Sequence, residues 1–229
     1  MEILEKFRGK ITVSVQAMPG EPLYDEVCMK AMMASVINGG AAALRVAGVR
    51  DVKNAKTFGV PIIGITKPDK LPDNWKEVVY ITPTLKEVNA LIEADADIIA
   101  FDGTLRERPN GCNVESIINR IHEAGKLAMA DISTFEEGIH CHKYGADIIS
   151  TTLSGYTKES ASESETPDFE LLEKLVKETK APVILEGRIW VPGDVKKAFK
   201  LGAHSVVIGS AITRPQLITK RFVNYMEQD

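Results

Sequence analysis

The sequence has little cysteine, no long apolar run and no excess of positive charge, and each shortage excludes a class of protein. Its three cysteines, Cys28, Cys112 and Cys141, are an odd, scattered set without a Cys-x-x-Cys pair. That excludes a disulfide framework and a cysteine-based zinc site. No stretch reaches the roughly 18 apolar residues of a membrane span. The N-terminal Met1–Lys10 stretch carries no apolar core of a signal peptide, so a cytoplasmic protein is expected. With 28 Lys and Arg against 32 Asp and Glu, the net charge of -4 gives no electrostatic basis for binding nucleic acid. Aromatic residues are only 6% of the chain, which leaves few rings for sugar stacking. The turn after the first strand, Gln16-Ala-Met-Pro-Gly20, lacks the Gly-x-Gly-x-x-Gly fingerprint of a dinucleotide fold. His140-Cys141-His142 suggests a metal, but residues two apart on a helix do not face each other, so these read as surface positions and no metal is expected.

What is present is alternation. Short apolar, β-branched runs are predicted as strands at 11–15, 43–46, 61–65, 78–81, 97–101, 126–130, 147–150, 182–185 and 205–208. Helical periods fall at about 25–38, 50–57, 84–94, 114–124, 134–144, 168–179, 192–201 and 215–227. Strands that are apolar throughout rather than alternating belong to a parallel sheet covered on both faces. The run 78–81 is the weakest and is set aside as an extra in the third connection. Eight strands then remain, and the fold class is α/β, a (β/α)8 TIM barrel spanning residues 1–229 as one domain. Gly39-Gly-Ala, Ala94-Asp-Ala-Asp97, Gly145-Ala-Asp147 and Gly202-Ala-His204 recur at helix-to-strand transitions and support this phrasing.

A barrel enzyme keeps its site at the C-terminal ends of the strands. There the sequence places Gln16, Arg45, Lys67, Asp102, Asp131, Thr152, Glu186-Gly187-Arg188 and Gly209-Ser210. Lys67, Asp131 and Glu186 stand out, because a charge over a barrel mouth must be paired or used. Gly187, Gly209, Ser210 and Arg214 lie where barrels often hold a phosphate, after strands 7 and 8. The Ser/Glu-rich connection 153–168 reads as a mobile loop whose first half, up to Tyr156, touches the site.

Val13-Ser-Val-Gln-Ala-Met-Pro-Gly-Glu-Pro-Leu-Tyr24, Gly64-Ile-Thr-Lys-Pro-Asp69, Ala130-Asp-Ile-Ser-Thr134, Thr151-Thr-Leu-Ser-Gly-Tyr-Thr157, Leu185-Glu-Gly-Arg188 and Gly209-Ser-Ala-Ile-Thr-Arg-Pro215 resemble the bacterial N-acetylmannosamine-6-phosphate 2-epimerases. The likeness runs from about residue 9 to 226. It implies a phosphate-binding (β/α)8 barrel, usually a homodimer, that interconverts N-acetylmannosamine 6-phosphate and N-acetylglucosamine 6-phosphate in sialic acid breakdown without a cofactor. It implies Lys67 and Glu186 as catalytic groups and Gln16, Arg45 and Asp131 as sugar contacts, with Arg214 on the phosphate. Thr152 and Arg188 join the expected sugar contacts by their position. The chain departs from the family pattern at Pro68, Ser150 and Val191. The same parts would also suit a Schiff-base sugar-phosphate aldolase or a phosphosugar-binding barrel without catalysis.

Overall fold

Eight parallel strands close on themselves in chain order, each hydrogen-bonded to the next and the eighth to the first. The computed structural model describes residues 2–227; Met1, Gln228 and Asp229, the ends of the expected domain, lie outside the described residues. The strands are β1 (Lys10–Val15), β2 (Ala43–Ala47), β3 (Ile62–Ile65), β4 (Ile98–Asp102), β5 (Leu127–Asp131), β6 (Ile148–Ser150), β7 (Val183–Glu186) and β8 (Ser205–Ile208). The helices are α1 (Glu2–Phe7), α2 (Glu26–Asn38), α3 (Val49–Lys56), α4 (Leu85–Glu93), α5 (Val114–Glu123), α6 (Phe135–Lys143), α7 (Phe169–Glu178), α8 (Pro192–Lys200), α9 (Ser210–Thr213) and α10 (Pro215–Met226). No strand forms at 78–81.

The strands are short and apolar because each is covered twice. Ile63, Ile65, Ile98, Met129, Ile148, Ile184 and Val207 fill the barrel interior, while Val46, Ile62, Ile99, Leu185 and Val206 pack outward against the helices. Five of the helices, α2, α4, α5, α6 and α7, start at side-chain caps. Thr84 with Glu87, Asn113 with Ser116 and Thr134 with Glu137 form capping boxes, satisfying backbone N–H groups at each start. The turn from α4 into β4 has Asp95 in the left-handed region at φ +61, where the corresponding turns use Gly40, Gly145 and Gly202. Asp95 there pairs with Lys56 and Lys126.

Two features differ from the sequence reading. The helix α1 is too short for periodicity to reveal. It plugs the barrel's lower end with Phe7, fully buried and edge-on to His204 at 5.3 Å. Cys141 is not a surface residue. It is fully buried in the outer core, and its thiol donates to the Gly103 carbonyl at 3.2 Å. Among the described residues no three His, Cys, Asp or Glu side chains gather as a metal site, and no helix is long and apolar enough to cross a membrane.

Candidate active site at the C-terminal mouth of the barrel

A cavity of about 360 Å³ opens at the C-terminal ends of the strands. One face of its wall is Lys67, Thr152, Glu186 and Gln16, all expected from the sequence. Another is Gly187, Gly209, Ser210 and Arg214, also expected, side by side at the ends of β7 and β8. Arg188 lines the cavity as well. Arg45 and Asp131 do not. They lie beneath it, 1% and 0% exposed.

The buried pair organises the floor. Arg45 Nη2 and Nη1 donate to the two Asp131 carboxylate oxygens at 2.6 and 3.1 Å, a fork-on-fork contact across the barrel interior. Arg45 Nη1 also lies 3.4 Å from Glu186 Oε2. The Thr152 hydroxyl sits 2.7 Å from Asp131 Oδ1 and 3.1 Å from Glu186 Oε2, so its one hydrogen can serve either carboxylate. Ser150, a departure from the family pattern, places its hydroxyl 2.8 Å from that of Thr152. Burial alone would pull the Arg45 guanidinium down, but the Asp131 and Glu186 carboxylates outweigh it and hold Arg45 firmly charged.

One guanidinium thus faces two carboxylates, and the remaining charge balance falls on Lys67 and Glu186. Lys67 makes no ion pair or hydrogen bond among the described residues. Burial in the cavity wall, and then the positive charge of Arg45, pull its ammonium down to about 8 from the ordinary 10.5. Glu186 moves the other way. Burial first, and repulsion from Asp131, push its carboxyl above the usual range against the pull of Arg45. A lysine displaced toward neutrality beside a carboxyl displaced toward protonation suits proton transfer in both directions near pH 7.

The sequence did not disclose the rest of the wall. Leu71, Trp75 and Tyr80 come from the third connection, whose one strand-like run, 78–81, forms no strand. It is held by Arg106, which reaches from the buried Asp102 (2.7 Å) to the Lys76 carbonyl (3.0 Å). Burial pushes the Tyr80 phenol up to about 12, so it remains a donor at neutral pH. Trp190 follows β7, and with Trp75 it puts both tryptophans of the chain on this cavity. That scarcity was the available signal. Glu21, from the β1–α2 loop, pairs with Arg214 at 2.9 Å. The Gln16 amide donates to Ser14 Oγ at 2.8 Å, and its Oε1 is buried without a partner.

Comparison with known proteins gives the family. Residues 29–228 match the family model described as "Putative N-acetylmannosamine-6-phosphate epimerase". A Clostridium perfringens protein named "Putative N-acetylmannosamine-6-phosphate 2-epimerase" is 51% identical over 227 residues, covering 98% of this chain and all of its own. A Clostridioides difficile protein of the same name is 46% identical, covering 98% of this chain and 99% of its own. A solved structure, described as that of the N-acetylmannosamine-6-phosphate 2-epimerase from Clostridium perfringens, superposes with a TM-score of 0.91 at 51% identity, covering 97% of this chain and 95% of that one.

Proposed function

The chain belongs to the N-acetylmannosamine-6-phosphate epimerase family, and we propose that it inverts C2 of the amino sugar phosphate with Lys67 as base and Glu186 as its carboxyl partner. The observation that carries this reading is the unpaired Lys67, its pKa drawn down to about 8, facing the same cavity as the raised Glu186. In the open-chain sugar, C2 adjoins the C1 aldehyde. The C2–H bond breaks, the proton goes to the Lys67 amine, and the electron pair moves into an enolate spanning C2, C1 and O1. Return of a proton to the opposite face, from the Glu186 carboxyl, gives the epimer. Tyr80 and Gln16 stand around the cavity to hold the polar groups of the sugar. The unpartnered Gln16 Oε1 suits an N–H donor such as the acetamido group.

Gly187, Gly209, Ser210 and Arg214 form the phosphate end of this reading, with Arg214 steered by Glu21. Thr152 sets Glu186 in place. Arg45 and Asp131 serve the sugar from beneath, through Glu186, rather than by direct contact. The reaction needs no metal or nicotinamide. A cytoplasmic enzyme of sialic acid breakdown and a homodimer complete the proposal. The dimer is supported by the outer face of α10, where Phe222, Tyr225 and Met226 stand 74%, 80% and 76% exposed at helical spacing.

The test is the fate of the C2 hydrogen. Turnover of N-acetylmannosamine 6-phosphate in deuterium oxide, followed by proton NMR, is expected to give product deuterated at C2 and nowhere else. Recovered substrate should stay largely protiated early in the reaction, and Glu186→Gln should suppress the solvent label in product. Product that keeps its original C2 hydrogen sinks the deprotonation mechanism. Borohydride with substrate separates the alternative aldolase chemistry, because it would trap a Lys67 Schiff base and inactivate the protein covalently.

A further inference from the structure

Arg188 was expected to hold substrate, yet its guanidinium is committed elsewhere. The residue has φ +57, a left-handed conformation uncommon for a side chain with a Cβ, directly after Gly187 at φ +109. This turn swings the side chain away from the end of β7 and onto the β6–α7 loop. There Nε donates to the Thr166 carbonyl at 2.7 Å, and Nη1 donates to the Ser154 carbonyl at 2.6 Å. One guanidinium therefore joins the two ends of segment 155–165. The Ser154 hydroxyl closes the same loop a second time through Asp168, at 2.6 Å.

The loop is shaped to receive the guanidinium. Gly155 has φ +83, and a Cβ there would come within 1.9 Å of Arg188 Nη1. The anchored end of that segment is also the part of the loop that reaches the site. Leu153 and Tyr156 line the cavity beside Glu186, and the Arg188 guanidinium lies 5.7 Å from the Tyr156 ring centre. Thr152, two residues before the anchored Ser154, places its hydroxyl on Glu186 and Asp131.

We propose that Arg188 is a positioning residue: it straps the β6–α7 loop shut, and through that loop it fixes the Tyr156 wall and the Thr152 contact to Glu186. It acts on turnover without gripping the substrate. The inference rests on the epimerase reading for its kinetic part only. The strap uses two donors of a planar fork at fixed separation, which a single ammonium cannot reproduce. Lysine at 188 should therefore behave like glutamine rather than like arginine.

The experiment compares Arg188→Gln, Arg188→Lys, Gly155→Ala and the double variant Gly155→Ala/Arg188→Gln, each as the full chain. Kinetics with N-acetylmannosamine 6-phosphate are combined with thermal melting and with amide hydrogen exchange over residues 152–160. Expected are a fall in kcat on the order of 10- to 100-fold in every single variant, the cost of a small misplacement of reacting groups, and little change in KM. Exchange over 152–160 should be faster in each, with no substrate present. The double variant should be no worse than either single one, since both break the same contact. A substrate-holding Arg188 gives a different pattern, and that pattern overturns the proposal: KM rises in both Arg188 variants, while Gly155→Ala keeps wild-type turnover and wild-type exchange. Should the wild-type chain fail to exchange the C2 hydrogen, the epimerase reading falls, while the exchange data still decide the strap. Unchanged exchange in the Arg188 variants overturns it on their own, whether or not Gly155→Ala folds.

Discussion

Lys67→Met is expected to lower turnover by about 10²–10⁴-fold, the usual worth of a general base, without lowering the melting temperature. The second half follows from linkage. The Lys67 pKa is about 8 in the folded chain and 10.5 in the ordinary, solvated state. Between those values the unfolded chain binds more protons than the folded one, so stability rises with pH. Below about 8 both states are protonated, and the folded state bears the full cost of a charged lysine in the cavity wall. Methionine removes that cost, so at pH 7 the variant should melt no lower than wild type. A structural ion-pair lysine would do the reverse, because its loss strands a partner and lowers the melt. The wild-type rate requires a neutral Lys67 amine together with a protonated Glu186 carboxyl, so it should rise from acid pH, pass through a maximum and fall at alkaline pH. A rate within a few-fold of wild type in Lys67→Met removes Lys67 from the base role.

The second large effect concerns stability. Arg45→Met should destabilise the chain by about 3–5 kcal/mol, the range for removing one partner of a buried ion pair. Asp131, fully buried, would be left with only the Thr152 hydroxyl, and Glu186 would lose its nearest positive charge. Urea melts read this directly. The Arg45→Met/Asp131→Leu double variant should recover much of the loss, because it removes both buried charges together. A cycle in which the double variant loses as much as the sum of the singles would show that the pair is not coupled.

The barrel itself was legible because its physics is periodic and repeated. Strands covered on both faces must be apolar throughout, and the recurring Gly-bearing helix-to-strand steps such as Gly39-Gly-Ala and Gly145-Ala-Asp147 mark where each begins. Lys67 and Glu186 were legible for a related reason: a charge ending an apolar strand is conspicuous. The directions in which long side chains point were not legible. Arg45 and Arg188 both looked like substrate ligands, since an arginine at a barrel mouth reads the same whether it faces the cavity, a carboxylate beneath it or a carbonyl beside it. Leu71 and Trp75 had no period to betray them, and the run 78–81 that carries Tyr80 was read as a weak strand that does not form. The shape of this wall depends on contacts distant in sequence, from Arg106 and the Lys158 backbone N–H to the Lys76 carbonyl and from Lys158 to Glu77.

Both tryptophans of the chain, Trp75 and Trp190, stand on the cavity wall, one from the third connection and one after β7. Light absorbed by indole is therefore absorbed only at the mouth of the barrel. The molecule carries its own optical probe, and emission excited near the red edge of the protein band reports on that cavity with no background from elsewhere in the fold. Occupancy by a sugar phosphate, by inorganic phosphate or by a non-reacting analogue becomes readable from intensity and colour alone. Binding can then be followed in variants too slow to assay by turnover, Lys67→Met among them.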